Sequence, residues 1–314
     1  MIRKNFRYIL ILFIVILLCA GCTQKNLKEN KDIKKDNTLQ IGFSFDSFVI
    51  ERWLRDRDAF VLTAKDLGAD VNVQVAGGDV ETQISQIQYF IKKKMDVIVI
   101  VATDAEALTD VVKEAKEAGI KVVCYDRLIK NAGADLYISF DNEEVGRAMA
   151  KALMNSIPEG GDIFIINGPT SDNNVAMINK GFLELIDNSN LKVVYKNYCD
   201  NWSAELAAKY VEKALEMYPD VKGIMCGNDE LASEVFLTLS ENRLAGKVFI
   251  VGQDADLAAC QRIVEGTQTM TVFKQVEDLA KAAANLAVDL GNHIDITDRT
   301  QCPKYYVTNT SNDG

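Results

Sequence analysis

Short apolar segments alternate with amphipathic segments through most of the chain, and this alternation restricts the possible folds more than any other feature. The run Val97–Val101 is apolar and β-branched, as expected for a strand buried on both faces. The preceding segment, Val80–Lys94, carries isoleucines at helical spacing. Strands and helices that alternate in this way form a parallel sheet with right-handed crossovers. The sequence therefore predicts an α/β protein.

The alternation begins a second time after Tyr137–Phe140. A helix is predicted over Glu143–Asn155, and the strands that follow it are again short and apolar. Two successive doubly wound units predict two Rossmann-like lobes, each with its own parallel sheet. The strands predicted for the second unit are 162–167, 192–198, 223–226, 248–251 and 269–273.

The N-terminal segment has the features of an export signal. Basic residues precede the apolar run Tyr8–Leu18, which has the length of a signal-peptide core and is short for a membrane span. Small residues then lead to Cys22, the predicted lipidated cysteine of a bacterial lipobox. We expect a signal peptide over 1–22 and a polar, disordered tether over 23–38. An uncleaved membrane anchor is the alternative, and both interpretations place the body outside the cytoplasm, at the outer face of the membrane.

Composition and charge argue against several classes of function. The net charge is −10 at pH 7 and no basic patch with interleaved aromatics is present, so nothing would neutralise the phosphates of a nucleic acid. The chain has one histidine, His293, and its cysteines beyond residue 22 form no Cys-x-x-Cys pair, so no zinc site is expected. A P-loop and a complete dinucleotide-binding glycine pattern are also missing. We therefore predict neither a metal nor a cofactor.

Polar side chains and tryptophans follow nearly every predicted strand. In open α/β sheets, ligands bind outside the carboxyl ends of the strands, so these residues are candidates for one shared site. Any single Asp or Asn among them could instead be a helix cap or a turn residue. Their recurrence in both units favours a pocket. The residues are Asp46, Arg52, Trp53, Asp126, Arg127, Asp172, Asn173, Asn174, Trp202, Asn228, Asp229, Gln253, Asp254 and Lys274.

This set of side chains suits a small sugar. Asp, Asn and Arg can each form paired hydrogen bonds with neighbouring hydroxyls, and tryptophan covers the apolar face of a pyranose ring. Paired carboxylates could also serve a glycosidase. However, Asp126 is followed directly by Arg127, and His293 is far in sequence from the strand-end residues. The sequence therefore predicts a binding protein and not an enzyme.

Several stretches resemble the D-xylose-binding proteins of bacterial ABC importers, which belong to the type I periplasmic binding proteins. The resemblance extends from about Ile41 to Leu290. The matching stretches are Glu51–Trp53, Arg55–Asp58, Gln83–Ile87, Tyr125–Arg127, Tyr137–Glu143, Asp172–Asn174, Gly252–Ala258 and Gly266–Val272.

The resemblance implies both a pocket and a chain path. D-xylose would be bound between the lobes by Arg52, Trp53, Asp126, Arg127, Asp172, Asn174, Trp202, Asn228, Asp254 and Lys274. The chain would cross between the lobes three times, the last time before the final strand. The N-terminal lobe would then contain 39–139 and 273–298, and the C-terminal lobe would contain 140–272 and 299–314.

The resemblance leaves the partner and the sugar open. It implies delivery of the sugar to the permease of an ABC importer. The alternative is a sensing role, in which the protein docks on the extracytoplasmic domain of a sensor histidine kinase. Another small sugar, such as glucose or ribose, is the alternative ligand. The family usually has proline after the residue that matches Lys274, where this chain has Gln275.

Overall fold

The computed structural model describes residues 38–297 and 306–308. The predicted signal peptide, the predicted lipidation site Cys22 and all of the predicted tether except Thr38 lie outside these residues. The described chain forms two α/β lobes, each built on a sheet of five parallel strands, which confirms the predicted fold class.

The first lobe contains the strands that come early in the chain. Its parallel strands are β1 (Leu39–Phe45), β2 (Ala69–Val75), β3 (Val97–Ile100), β4 (Lys121–Tyr125) and β5 (Leu136–Ser139). With the edge strand β11 (Tyr306–Thr308), the sheet has the order β11-β5-β4-β3-β1-β2. Strand β3 is buried along its whole length, as its β-branched sequence predicts. The helices between them are α1 (Arg52–Asp66), α2 (Val80–Lys93) and α3 (Thr109–Glu117).

The second lobe repeats this architecture with the strand order β10-β9-β8-β6-β7. Its strands are β6 (Gly161–Asn167), β7 (Leu191–Tyr198), β8 (Gly223–Cys226), β9 (Phe249–Gln253) and β10 (Met270–Val272). Its helices are α4 (Asn142–Ser156), α5 (Asn173–Ile186), α6 (Ala204–Met217), α7 (Asp229–Glu241) and α8 (Leu257–Val264). None of the helices in the described part of the chain has the length and apolar character needed to cross a membrane.

The chain crosses between the lobes after β5 and again after β10. The second crossing leads into α9 (Val276–Gly291), which packs against α1 and β3 of the first lobe. A third crossing was expected to place 299–314 in the C-terminal lobe. For 306–308, the described part of this range, that placement is wrong. Here β11 (Tyr306–Thr308) pairs antiparallel with β5 of the first sheet. The physical reason is that β5 would otherwise leave its backbone groups unpaired at the sheet edge.

Candidate ligand-binding site

One cavity between the two lobes is lined by all ten residues that were predicted for the site. It has an empty volume of about 310 Å³. Three further residues, Ile50, Asn142 and Gln253, also line it. Gln253, at the end of β9, was one of the strand-end candidates, whereas Ile50 and Asn142 were not among the predicted site residues, although Asn142 lies in the stretch Tyr137–Glu143 that carries the family resemblance.

Local structure brings these side chains to the cavity. Arg52 and Trp53 are the first residues of α1. Asp172 and Asn228 cap α5 and α7, where they accept hydrogen bonds from the backbone N–H of Asn174 and Leu231 at 2.9 Å. Both residues therefore act as helix caps and also line the cavity.

Asp126 lies in the left-handed region just after β4, with a φ of 61°. This conformation is uncommon for residues other than glycine, so it needs support from the surrounding structure. The backbone N–H of Asp126 donates to the carbonyl of Ile138 at 2.8 Å, and the hydroxyl of Ser139 donates to the Asp126 carbonyl at 2.7 Å. These bonds from β5 fix the orientation of the Asp126 carboxylate.

Arg52 links Asp56 and Asp126 in a buried network. Its guanidinium pairs with both oxygens of Asp56, at 3.1 and 2.9 Å, and its Nη2 lies 3.0 Å from Asp126 Oδ2. The hydroxyl of Tyr125 also donates to Asp56. Asp56 was missed by sequence reasoning, although its spacing of four residues from Arg52 on a helix is a signal that could have found it.

The charges of this network control its protonation. Burial alone would lower the pKa of Arg52, but Asp126 and Asp56 outweigh burial and hold this pKa well above its usual value. Burial alone would raise the pKa of Asp126, but Arg52, Lys274 and Arg127 together lower it. Both groups are therefore ionised at neutral pH, as directional hydrogen bonding to hydroxyls requires.

Arg127 forms its ion pairs with residues other than Asp126, its neighbour in sequence. Its Nη1 lies 2.7 Å from Asp46 Oδ2 and donates to the carbonyl of Ala102 at 3.1 Å, while its Nε lies 2.7 Å from Asp172 Oδ2. Its Nη2 is buried and has no hydrogen-bond partner. Arg127 thus spans the two lobes and retains one unused donor.

Asp254 and Lys274, which both line the cavity, form an ion pair. The Oδ1 of Asp254 lies 2.7 Å from Lys274 Nζ and 3.9 Å from Arg52 Nη1. The 2.7 Å contact has the distance of an ion pair but not the direction of a hydrogen bond, so Oδ1 accepts none. Each carboxylate that lines the cavity therefore lies beside a cation, an arrangement suited to binding and not to acid–base catalysis.

Two tryptophans form apolar walls of the cavity. Trp53 is 2% exposed, with the guanidinium of Arg52 4.4 Å from its ring centroid. Trp202 lies in a short 3-10 turn, Asp200–Trp202, and is 5% exposed. The guanidinium carbon of Arg127 is 5.5 Å from the ring centroid of Trp53 and 5.9 Å from that of Trp202.

Seven buried polar atoms of cavity-lining residues have no hydrogen-bond partner. A buried polar group without a partner costs roughly 1–3 kcal/mol, so their concentration at one cavity points to a polar ligand. Three cations and three carboxylates line the cavity, so the charges balance and a neutral ligand is favoured. The seven atoms are Trp53 Nε1, Arg127 Nη2, Asn174 Oδ1, Trp202 Nε1, Asn228 Nδ2, Gln253 Oε1 and Asp254 Oδ1.

Comparison with protein families identifies the class of the chain. Residues 41–293 match the model of the periplasmic binding protein domain. A structure of an ABC transporter solute-binding protein from Mycobacterium smegmatis with bound glycerol has a TM-score of 0.78 at 26% identity, and the match covers 88% of this chain and 95% of that one. The chain therefore belongs to the periplasmic binding protein family, whose members bind ligands and are not enzymes.

Within this family, two curated relatives share nearly half of their aligned residues with the chain. The D-xylose-binding periplasmic protein of Haemophilus influenzae is 46% identical over 260 residues, which is 81% of this chain and 78% of the relative. The D-xylose-binding periplasmic protein of Escherichia coli is 43% identical, over 89% of this chain and 84% of the relative. A solute-binding protein from Clostridium phytofermentans with bound β-D-glucose has a TM-score of 0.75 at 27% identity, and the match covers 82% of this chain and 85% of that one.

Proposed function

We propose that this chain is an extracytoplasmic, lipid-anchored binding protein that captures D-xylose and presents it to an ABC importer. The observation that carries the proposal is the set of seven buried polar atoms without hydrogen-bond partners around one cavity between two tryptophans. Donors and acceptors both occur among them, as the hydroxyls of a neutral sugar require. Two relatives at 43% and 46% identity that are named as D-xylose-binding proteins support this choice of sugar.

The apolar walls support a pyranose. The two indoles can cover the C–H groups of a sugar ring, while the charged side chains bond to hydroxyls at its edge. Xylose is glucose without its exocyclic CH2OH group, so a bulky wall at the position of that group favours the pentose. We assign this wall to Trp202, which packs against the backbone at Gly168.

Contacts between the lobes support capture by closure. Arg127 and Asp126 of the first lobe contact Asp172 and Asn174 of the second, respectively. A sugar that bonds to residues of both lobes binds the closed form more tightly than the open one, so it shifts the equilibrium towards closure. The closed form then offers a membrane partner a surface that the open form lacks.

Calorimetry with xylose, arabinose, ribose, glucose and galactose tests the choice of sugar. We expect a clear preference for xylose, and a preference for glucose or ribose would replace xylose and keep the class of ligand. Binding of none of these sugars would contradict the proposed function.

Deletion of the gene tests the partner, with xylose uptake and xylose-induced transcription assayed separately. Lost uptake with intact induction supports import. Normal uptake with lost induction would show that the protein serves a membrane sensor instead. Replacement of Cys22 by Ser tests the anchor, since we expect the variant to be released from the membrane.

A further inference from the structure

The loop that carries Asp254 is held in an uncommon backbone conformation. Asp254 has a φ of 100° and the next residue, Ala255, has a φ of 55°. Neither is glycine, and residues in these regions persist only where the surrounding structure holds them. The contacts of this loop therefore decide where the Asp254 carboxylate lies.

Three successive backbone N–H groups anchor the loop. That of Asp254 donates to the carbonyl of Val272 at 3.0 Å, and that of Ala255 donates to the hydroxyl of Thr271 at 3.1 Å. That of Asp256 donates to Asp229 Oδ2 at 3.2 Å. The hydroxyl of Thr271 in turn donates to the same oxygen of Asp229 at 2.6 Å. Thr271 and Asp229 thus form one unit that binds both residues after Asp254.

Asp229 is itself held in place by its surroundings. It is buried, and its other oxygen accepts a hydrogen bond from Gln268 Nε2 at 2.9 Å. A Cβ at Gly252 would lie 2.3 Å from Asp229 Oδ1, so β9 needs glycine at this close approach. Burial raises the pKa of Asp229 to about 6, which leaves the carboxylate as the main form at neutral pH, able to accept all three bonds.

We propose that Asp229 and Thr271 are positioning residues that hold Asp254 in its ligand-binding orientation. Neither residue lines the cavity, so both act through the loop. Thr271 lies in β10, the strand that precedes the second crossing, and the unit therefore also ties the binding loop to that crossing. The role in sugar binding rests on the proposed function, whereas the effect on the loop conformation does not.

The first test compares two substitutions at one position. Thr271→Val keeps the β-branched shape and removes the hydroxyl, whereas Thr271→Ser keeps the hydroxyl. We expect the Kd for xylose to rise about tenfold in the valine variant and to stay within about twofold in the serine variant, with unchanged stoichiometry in calorimetry. Equal affinity of the valine variant and the wild type would overturn the proposal.

The second test asks whether Thr271 acts through Asp254. In an Asp254→Asn background, Thr271→Val should have little further effect on the Kd, because the carboxylate that it positions is already lost. If Thr271→Val raised the Kd by the same factor in both backgrounds, Thr271 would have a general structural role, and the proposal would be overturned. Asp229→Asn, which places amide N–H groups against N–H donors, serves as a second variant with the same readouts.

A crystal structure of the valine variant tests the loop without any sugar. We expect Asp254 to leave its positive φ and to move away from Lys274. An unchanged loop would overturn the proposal even if the wild-type protein bound no sugar in the panel. Failure of the wild type to bind any sugar, with a loop that moves in the variant, would contradict only the proposed function.

Discussion

Arg127 Nε of the first lobe lies 2.7 Å from Asp172 Oδ2 of the second lobe, so a buried ion pair spans the cavity. Both side chains are at most 3% exposed. Replacing one partner leaves the other charged and buried, which is strongly destabilising. We therefore expect this pair to contribute to two properties, closure of the lobes and binding of the ligand.

We predict that Arg127→Ala weakens xylose binding by at least about 2 kcal/mol, which corresponds to roughly thirtyfold in Kd. The variant loses the free Nη2 donor and leaves Asp46 and Asp172 without their cation. Calorimetry measures the effect. Arg147→Ala, which removes an arginine that pairs with surface glutamates of α4 and α5, is the control and should bind like the wild type. An affinity within a few-fold of the wild type would show that Arg127 does not contact the sugar.

Closure should be visible in solution. Because the sugar bonds to both lobes, saturating xylose should reduce the radius of gyration measured by small-angle scattering. A sugar that calorimetry shows not to bind is the control and should leave the scattering unchanged. An unchanged radius at saturation with xylose would contradict closure on the ligand.

We predict that the backbone at Gly168 sets the position of Trp202 and with it the selectivity for xylose. A Cβ at Gly168 would lie 2.4 Å from Cζ2 of the indole, so Gly168→Ala must displace the ring. We expect a higher Kd for xylose and a smaller difference between xylose and glucose in competition experiments. Trp202→Ala should also reduce the difference in affinity between xylose and glucose.

A double variant provides the control for this prediction. The atoms closest to the new methyl group belong to the six-membered ring of the indole, and the smaller ring of Trp202→Phe leaves more room for it. Gly168→Ala should therefore cost less affinity in the Trp202→Phe background than in the wild type. If Gly168→Ala and Trp202→Ala both kept the full preference for xylose over glucose, residues other than Trp202 would determine this selectivity.

We predict that the protein becomes less stable as the pH rises towards 7. The carboxylate of Glu230 accepts a hydrogen bond from the backbone N–H of Glu51 at 3.0 Å, between the lobes. Burial raises the pKa of Glu230 from 4.5 to about 7, although this hydrogen bond opposes the shift, and burial also raises the pKa of Asp256 to about 7. Asp254 and Glu51 are neighbouring acids that add to both shifts, and Asp229 and Glu230 add to that of Asp256.

The sign of the effect follows from proton linkage. An acid with a raised pKa in the folded state stabilises that state below its unfolded pKa, and this contribution is lost as the pH rises through the folded pKa. For Glu230 the loss falls between about pH 4.5 and 7. As the pH rises across this range, the melting temperature should fall less steeply in Glu230→Gln than in the wild type. Glu241→Gln, at the exposed end of the same helix, is the control and should follow the wild type. Identical slopes in Glu230→Gln and the wild type would contradict the assignment.

Local patterns in the sequence determined the architecture and the edge of the sheets at which the candidate site residues lie. The β-branched run at Val97 and the repeat of the strand–helix rhythm after Phe140 are sufficient for two parallel sheets, because side-chain periodicity directly reflects burial. The residues that follow the strands, such as Asp126 and Asp254, were predicted as one group because the carboxyl ends of parallel strands share an edge. Eleven of the fourteen strand-end candidates line one cavity, including all ten that the family resemblance implied, whereas Asp46, Asn173 and Asp229 do not line it.

Only the tertiary structure decided which of these groups pair with one another. Arg127 bonds to Asp46, 81 residues earlier in the chain, and not to Asp126 beside it, and the placement of β11 beside β5 reversed the sequence-based expectation for the final strand. Thr271 was predicted only as a strand residue, although its hydroxyl contacts the loop of Asp254. The physical reason is that hydrogen bonds and ion pairs act over about 3 Å, and distances of that size between distant segments are set by packing. Local periodicity determines which face of an element is buried, but it does not determine which partner that face contacts.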